Sequence, residues 1–193
     1  MHGLFNRAVQ CFLRDNYGPD MWDRVARDAR LGFSDFEPLF RYDPAMSDAV
    51  VAAASRALNR SRESLLEDIG TYLVSNPELE AVRRLLRFGG VTFRDFVNSL
   101  EDFPDRCRLA LPGAEVPILT LREDETGYVL TCDWSLDGVG HLVVGLLRAM
   151  ADDYGTLAFL EHTGRMGRGE VVAIRLVEAQ LFAGRPFDLA ARA

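Results

Sequence analysis

The sequence predicts an α+β fold, with helices segregated from one antiparallel sheet, and three observations predict it. Apolar residues recur at helical spacing through residues 1–111. After Pro112-Gly113 two runs alternate apolar and polar residues around Asp124-Glu125-Thr126-Gly127, which reads as a hairpin. A further helical pattern then separates that hairpin from two more strand candidates. The predicted order is a helical first half, then strand, strand, helix, strand, strand, giving a helical half packed on a sheet of about four strands with an inserted helix. At 193 residues the chain can bury one sizeable core. We read residues 1–185 as a single domain, 1–111 mainly helical and 116–178 sheet plus helix, with 186–193 as a tail.

In chain order, Leu4, Phe5, Ala8, Val9, Cys11, Phe12 and Leu13 mark a first helix, which Asn16-Tyr17-Gly18-Pro19 stops. A second helix follows from Pro19, with Met21, Trp22, Val25 and Ala29 inward. Residues 33–44 hold several aromatics punctuated by Ser34, Pro38, Asp43 and Pro44, the pattern of an ordered connector. Helices follow over 47–58, opening at Ser47, and over 62–74, with Leu65, Leu66, Ile69, Tyr72 and Leu73 on one side. Pro77 begins a helix that ends near Gly89-Gly90, and Thr92 caps the next, with Phe93, Phe96, Val97 and Leu100 apolar. Residues 116–123 and 128–134 form the hairpin strands, and 141–154 the inserted helix. Residues 157–162 and 171–177 are the last strands, joined by a turn from Gly164 to Gly169.

Composition excludes several classes of function. With 48% hydrophobic and 26% charged residues the chain is an ordinary globular protein, and its net charge of -7 argues against a general phosphate-binding surface. Nucleic acid is therefore not an expected partner. All 22 basic residues are arginine, which excludes a lysine Schiff base. The cysteines Cys11, Cys107 and Cys132 are odd in number and widely spaced, suggesting neither a disulfide framework nor a CxxC metal clip. Met1 to Arg7 has no secretory pattern and no apolar run reaches the length of a membrane span, so a cytoplasmic setting is expected.

A set of motifs, in order along the chain, carries a family resemblance. They are Met1-His2-Gly3-Leu4-Phe5-Asn6 with Asn16-Tyr17-Gly18, Glu67-Asp68-Ile69-Gly70-Thr71-Tyr72-Leu73, and Leu86-Arg87-Phe88-Gly89-Gly90-Val91-Thr92-Phe93. The helix from Phe96 to Leu111 and Gly138-Val139-Gly140-His141-Leu142-Val143-Val144-Gly145-Leu146-Leu147 complete it. Through them the chain resembles the H-NOX (haem-nitric oxide/oxygen binding, HNOB) domains of soluble guanylate cyclases and bacterial signalling systems. The resemblance implies a sensory or regulatory domain that is not an enzyme, with haem b between the helical and sheet parts and a histidine kinase or cyclase as partner.

The same resemblance locates two departures. The family's iron-ligating histidine stands in a segment like Leu-Asp-x-Leu-His-Asp, which matches Leu100-Glu101-Asp102-Phe103-Pro104-Asp105, so its position is Pro104. Proline has no side-chain donor and no backbone N–H. The Tyr-x-Ser-x-Arg motif that grips the haem propionates falls on Cys132, Trp134 and Leu136, and a leucine cannot form the paired bonds of an arginine. Loss of both devices implies that ordinary haem binding is abandoned or rebuilt, and leaves a haem-free interaction module or a binder of another apolar ligand as alternatives.

Remaining candidates are weighed against plain structural roles. Phe5, Val9, Leu73, Phe96, Val97, Leu100, Phe103, Pro117, Cys132 and Leu146 lie on elements that enclose the pocket in the family, and either surround a ligand or fill the core. Cys107, one turn after Pro104, is a speculative replacement iron ligand or a small core residue. His2 is a pocket or a surface residue, His141 a helix cap or surface residue, and His162 a strand residue facing solvent. Their scatter gives no metal-site spacing. Glu101, Asp102 and Asp105 read as a solvated helix-end run, and no nucleophile motif is present.

Overall fold

The computed structural model describes residues 3–110, Gly113 and residues 115–177. His2, the domain boundary at 185 and the tail 186–193 lie outside the described residues. Eight helices and four strands are described: α1 (Gly3–Tyr17), α2 (Pro19–Asp28), α3 (Pro44–Leu58), α4 (Arg62–Ser75), α5 (Glu80–Arg87), α6 (Phe93–Asn98), α7 (Phe103–Ala110), β1 (Ile118–Asp124), β2 (Gly127–Asp133), α8 (Val139–Asp153), β3 (Ala158–Met166) and β4 (Gly169–Leu176). The order agrees with the α+β reading, a helical region packed on a four-stranded antiparallel sheet.

The sheet runs β1-β2-β4-β3, every neighbour antiparallel, so α8 carries the chain from β2 across to the far edge. The predicted turn between the last strands is shorter than expected. β3 continues through Met166, which pairs with Gly169, and only Gly167-Arg168 turn the chain. Alternation on β2 buries Tyr128, Leu130 and Cys132 on the face that meets α8.

Local chemistry explains most helix boundaries. Pro19 and Pro44 stand in the first turns of α2 and α3, where a missing N–H costs nothing. Asp43 caps α3 by accepting from Ala45 N at 2.9 Å, one turn earlier than the expected start at Ser47, which is instead buried inside the helix. Ser61 caps α4, and Thr92 and Asp95 form a reciprocal capping box on α6. Pro77 opens a 3₁₀ turn that precedes α5.

The connector between α2 and α3 is tied to α1 through Asp35. Its carboxylate accepts from Ser34, from Arg14 and Gln10 at 2.7 and 2.6 Å, and from Arg7 at 3.2 Å. The Ser34 bond foremost, then those from Arg14 and Gln10, hold it well below the usual carboxylate range.

Two apolar cores result. One joins α1, α2, α3 and α4, with Phe12, Leu13, Trp22, Val50, Leu65 and Ile69 among its members. The other joins α6, α8 and the sheet, with Phe96, Val97, Leu130, Val144, Leu147 and Ile174. Trp134 packs against both.

Candidate functional site

The segment around Pro104 is not one helix from Phe96 to Leu111. α6 ends at Ser99, whose N–H reaches Asp95 O and Phe96 O at 3.0 and 3.1 Å, and a 3₁₀ turn over Leu100–Asp102 intervenes before α7. The reason is Pro104. In a continuous helix it would leave the Leu100 carbonyl without a donor and press its ring on that turn, so the helix restarts with proline in its first turn. Pro104 is buried there. Glu101, exposed like Asp102 and Asp105, also makes a tertiary contact. Its Oε1 accepts from Leu121 N at 2.9 Å and ties this segment to β1.

Cys107 faces inward at 7% exposure. Burial pushes its thiol up to about 11 despite the opposing charges of Arg106 and Arg108, so it is held protonated near neutrality. Cys132 is fully buried in mid-sheet, paired with Leu119 on one side and Glu170 on the other. Burial, aided by the Glu170 charge, raises its thiol to about 12.

The other predicted pocket residues fall into the two cores. Phe5, Val9, Leu73 and Leu136 belong to the helical core, while Phe96, Val97, Leu100, Phe103, Cys132 and Leu146 belong to the sheet core. Trp134 joins them. Its ring meets Phe5 edge-on, with centroids 5.6 Å apart and planes at 84°, and its Nε1 is buried without a hydrogen-bond partner. Pro104, Cys107 and Pro117 stand outside both clusters.

A polar array on the other side of α8 was not anticipated. Glu170, 3% exposed, accepts from Gly138 N at 2.7 Å and Gly140 N at 2.8 Å, so it caps the N-terminus of α8 from β4. His162 Nε2 lies 3.3 Å from Glu170 Oε2, and the His162 and His141 rings are 4.2 Å apart. His141 Nδ1 lies 3.2 Å from Glu67 Oε1, and Arg148 donates to the other Glu67 oxygen at 3.1 Å. His141 is thus inside α8, not its cap, and His162 points inward. A sequence signal for this existed in Glu170, whose place in the strand alternation puts a carboxylate on the buried face. Among the described residues no group of three or more His, Cys, Asp or Glu side chains is arranged to hold a metal ion.

The architecture defines a helical lobe joined to a sheet lobe, and comparisons assign it. Residues 2–162 match the family model described as Haem-NO-binding, HNOB. The chain belongs to this family. It is similar to an H-NOX protein from S. oneidensis solved in the Fe(II)NO state, at a TM-score of 0.77 and 13% identity over 92% of this chain and all of that one. An unliganded Fe(II) H-NOX protein from K. algicida gives 0.74 and 17%, covering 93% and 98%. Soluble guanylate cyclase 89Db from Drosophila melanogaster is 23% identical over 94% of this chain, and soluble guanylate cyclase gcy-31 from Caenorhabditis elegans 22% over 79%. The chain spans 28% and 22% of those relatives' lengths.

Proposed function

We propose that this chain is an H-NOX module that works without haem and regulates a signalling enzyme, a kinase or cyclase, through protein contacts. The observation that carries this reading is the placement of Trp134, wedged against Phe5 between the two cores where the resemblance puts the cofactor. A porphyrin slot would leave its walls solvent-accessible, yet Val9, Phe96 and Cys132 are 0% exposed. The donor set agrees. Pro104 offers no electron pair to iron, Cys107 is a buried neutral thiol, and Leu136 has no group for a propionate. Haem does not fit the residues present, and no step of a mechanism runs through it. The guanylate cyclase relatives support a signalling partner, and the acidic surface is available for docking.

Titration of the purified chain with ferrous and ferric haem, with and without nitric oxide, tests the reading. The expected result is no saturable Soret band. A stoichiometric band would overturn it, and its loss in Cys107→Ala would then identify a thiolate ligand.

A further inference from the structure

A cleft of about 750 Å³ opens beside Trp134 at the rim of the lobe junction. It is lined by Arg108 at the end of α7, by Val116 and Ile118 leading into β1, by Asp133 to Ser135 beyond β2, and by Arg165, Gly167 and Arg168 at the β3–β4 turn. On a chain of net charge -7, three guanidinium groups from two segments, α7 and the β3–β4 hairpin, line one cleft. Two carboxylates share the lining, and both are engaged. Glu115 pairs with Arg41 at 2.9 Å, and Asp133 lies 3.9 Å from Arg168 Nε. Arg108 pairs with Asp105, and Arg165 with Asp137 at 2.7 Å and with Glu170 at 3.9 Å. Each arginine has five donors, and these contacts use one nitrogen of each, leaving the remaining donors of each fork open.

The rest of the wall is apolar. Ile118 is 59% exposed, Val116 is half-buried, and the Trp134 ring completes the surface. The Trp134 N–H is buried behind that wall without an acceptor, so it reports on the wall without facing the cleft. The open polar groups of the three guanidiniums here are therefore donors, beside an aliphatic and aromatic face. We propose that this cleft binds a small organic anion with an apolar body, its carboxylate held by Arg165 and Arg168, with Arg108 opposite, and its hydrocarbon over Ile118, Val116 and Trp134. Arginine suits this because its planar fork takes a carboxylate in paired bonds. The site lies outside the filled interior, so its fate is separate from the outcome of the haem titration.

Octanoate serves as the probe, with octanol supplying the apolar body alone and inorganic phosphate the charge alone. Calorimetry and the indole N–H resonances of the ¹⁵N-labelled full chain report binding. Octanoate is expected to bind saturably and to shift the Trp134 indole signal while leaving that of Trp22, which donates to Ser34 O at 2.7 Å, in place. Octanol and phosphate are expected to bind at least about tenfold more weakly. Arg168→Glu, at a side chain 90% exposed, should weaken octanoate by about tenfold or more without altering the circular dichroism spectrum. Absence of saturable binding at millimolar octanoate, equal binding of octanol or phosphate, or binding unchanged in both Arg168→Glu and Arg108→Glu would overturn the proposal.

Discussion

Two contacts between parts of this molecule are built on opposite principles. Where α4 crosses α8, backbones touch and charged and polar groups cluster, although His162 Nε2 is buried there without a hydrogen-bond partner. A Cβ on Gly145 would stand 1.9 Å from Glu67 O, and one on Gly70 would stand 2.1 Å from Leu142 O. Thr71 donates to Gly145 O at 3.2 Å, and the Glu67-His141-His162-Glu170 array closes the flank. Around Trp134 the contact is instead apolar, with one ring in both cores and one indole N–H unpaired. Two of the motifs that carry the family resemblance, Glu67 to Leu73 and Gly138 to Leu147, lie at the first contact. Trp134, at one position of the family's propionate motif, lies at the second, while Pro104 stands apart from both cores. A fold held by the helix crossing can therefore keep its architecture while its cofactor chemistry is replaced.

The largest effect is expected where the crossing is tightest. Gly145→Ala places a methyl group inside the van der Waals shell of a backbone carbonyl that cannot rotate away, so the helices must part. We expect a loss of roughly 3 kcal/mol or outright failure to fold, measured by urea unfolding. A loss below about 0.5 kcal/mol would erase the distinction between the two contacts. Glu170→Gln comes next. One side-chain carbonyl cannot accept from both Gly138 N and Gly140 N as the carboxylate does, and the charge beside His162 is removed. A loss of about 2 kcal/mol is expected, and an unchanged unfolding midpoint would deny the cap its role.

Much of this was legible in sequence. Pro19, Thr92 and the hairpin residues Glu125-Thr126 act locally, and local chemistry places those helix starts and that turn. The break at Ser99 was readable from Pro104, yet the apolar period of Phe96 and Leu100 suggested a continuous helix. The histidines show the opposite limit. His141 and His162 are 21 positions apart in the sequence, and only the passage of α8 over the sheet brings their rings together and sets each beside a carboxylate. At the candidate site, identities at Pro104, Cys132, Trp134 and Leu136 disclosed what chemistry is missing. That Trp134 would bridge two cores depends on the approach of two lobes, which no local pattern encodes.

A smaller effect separates an exterior clasp from both contacts. Asp153, at the end of α8, accepts from Arg87 and Arg83. Burial alone would raise its carboxyl, but the bonds from Arg87 and then Arg83 outweigh it and the value is lowered. A depressed native value means stability that is fully present above the ordinary carboxylate range and is lost as pH falls through the native value. Asp153→Asn should therefore cost about 1 kcal/mol at pH 7 and progressively less on acidification. A penalty that grew toward acid would reverse the assigned sign.

The smallest effect is the most discriminating, because it sets one tryptophan against another. The Trp22 N–H donates to Ser34 O at 2.7 Å, whereas the Trp134 N–H is buried without an acceptor. Replacing either by phenylalanine removes the donor and some apolar area. At Trp22 the lost bond strands a carbonyl, so Trp22→Phe should cost about 2 kcal/mol. At Trp134 the same change abolishes a desolvated donor worth about 1–3 kcal/mol of penalty, which offsets the lost ring contacts. Trp134→Phe should therefore unfold within about 0.5 kcal/mol of the parent, or later. Equal penalties at the two positions would mean that the Trp134 donor is satisfied. The contact at the lobe junction would then hold no unpaired indole donor.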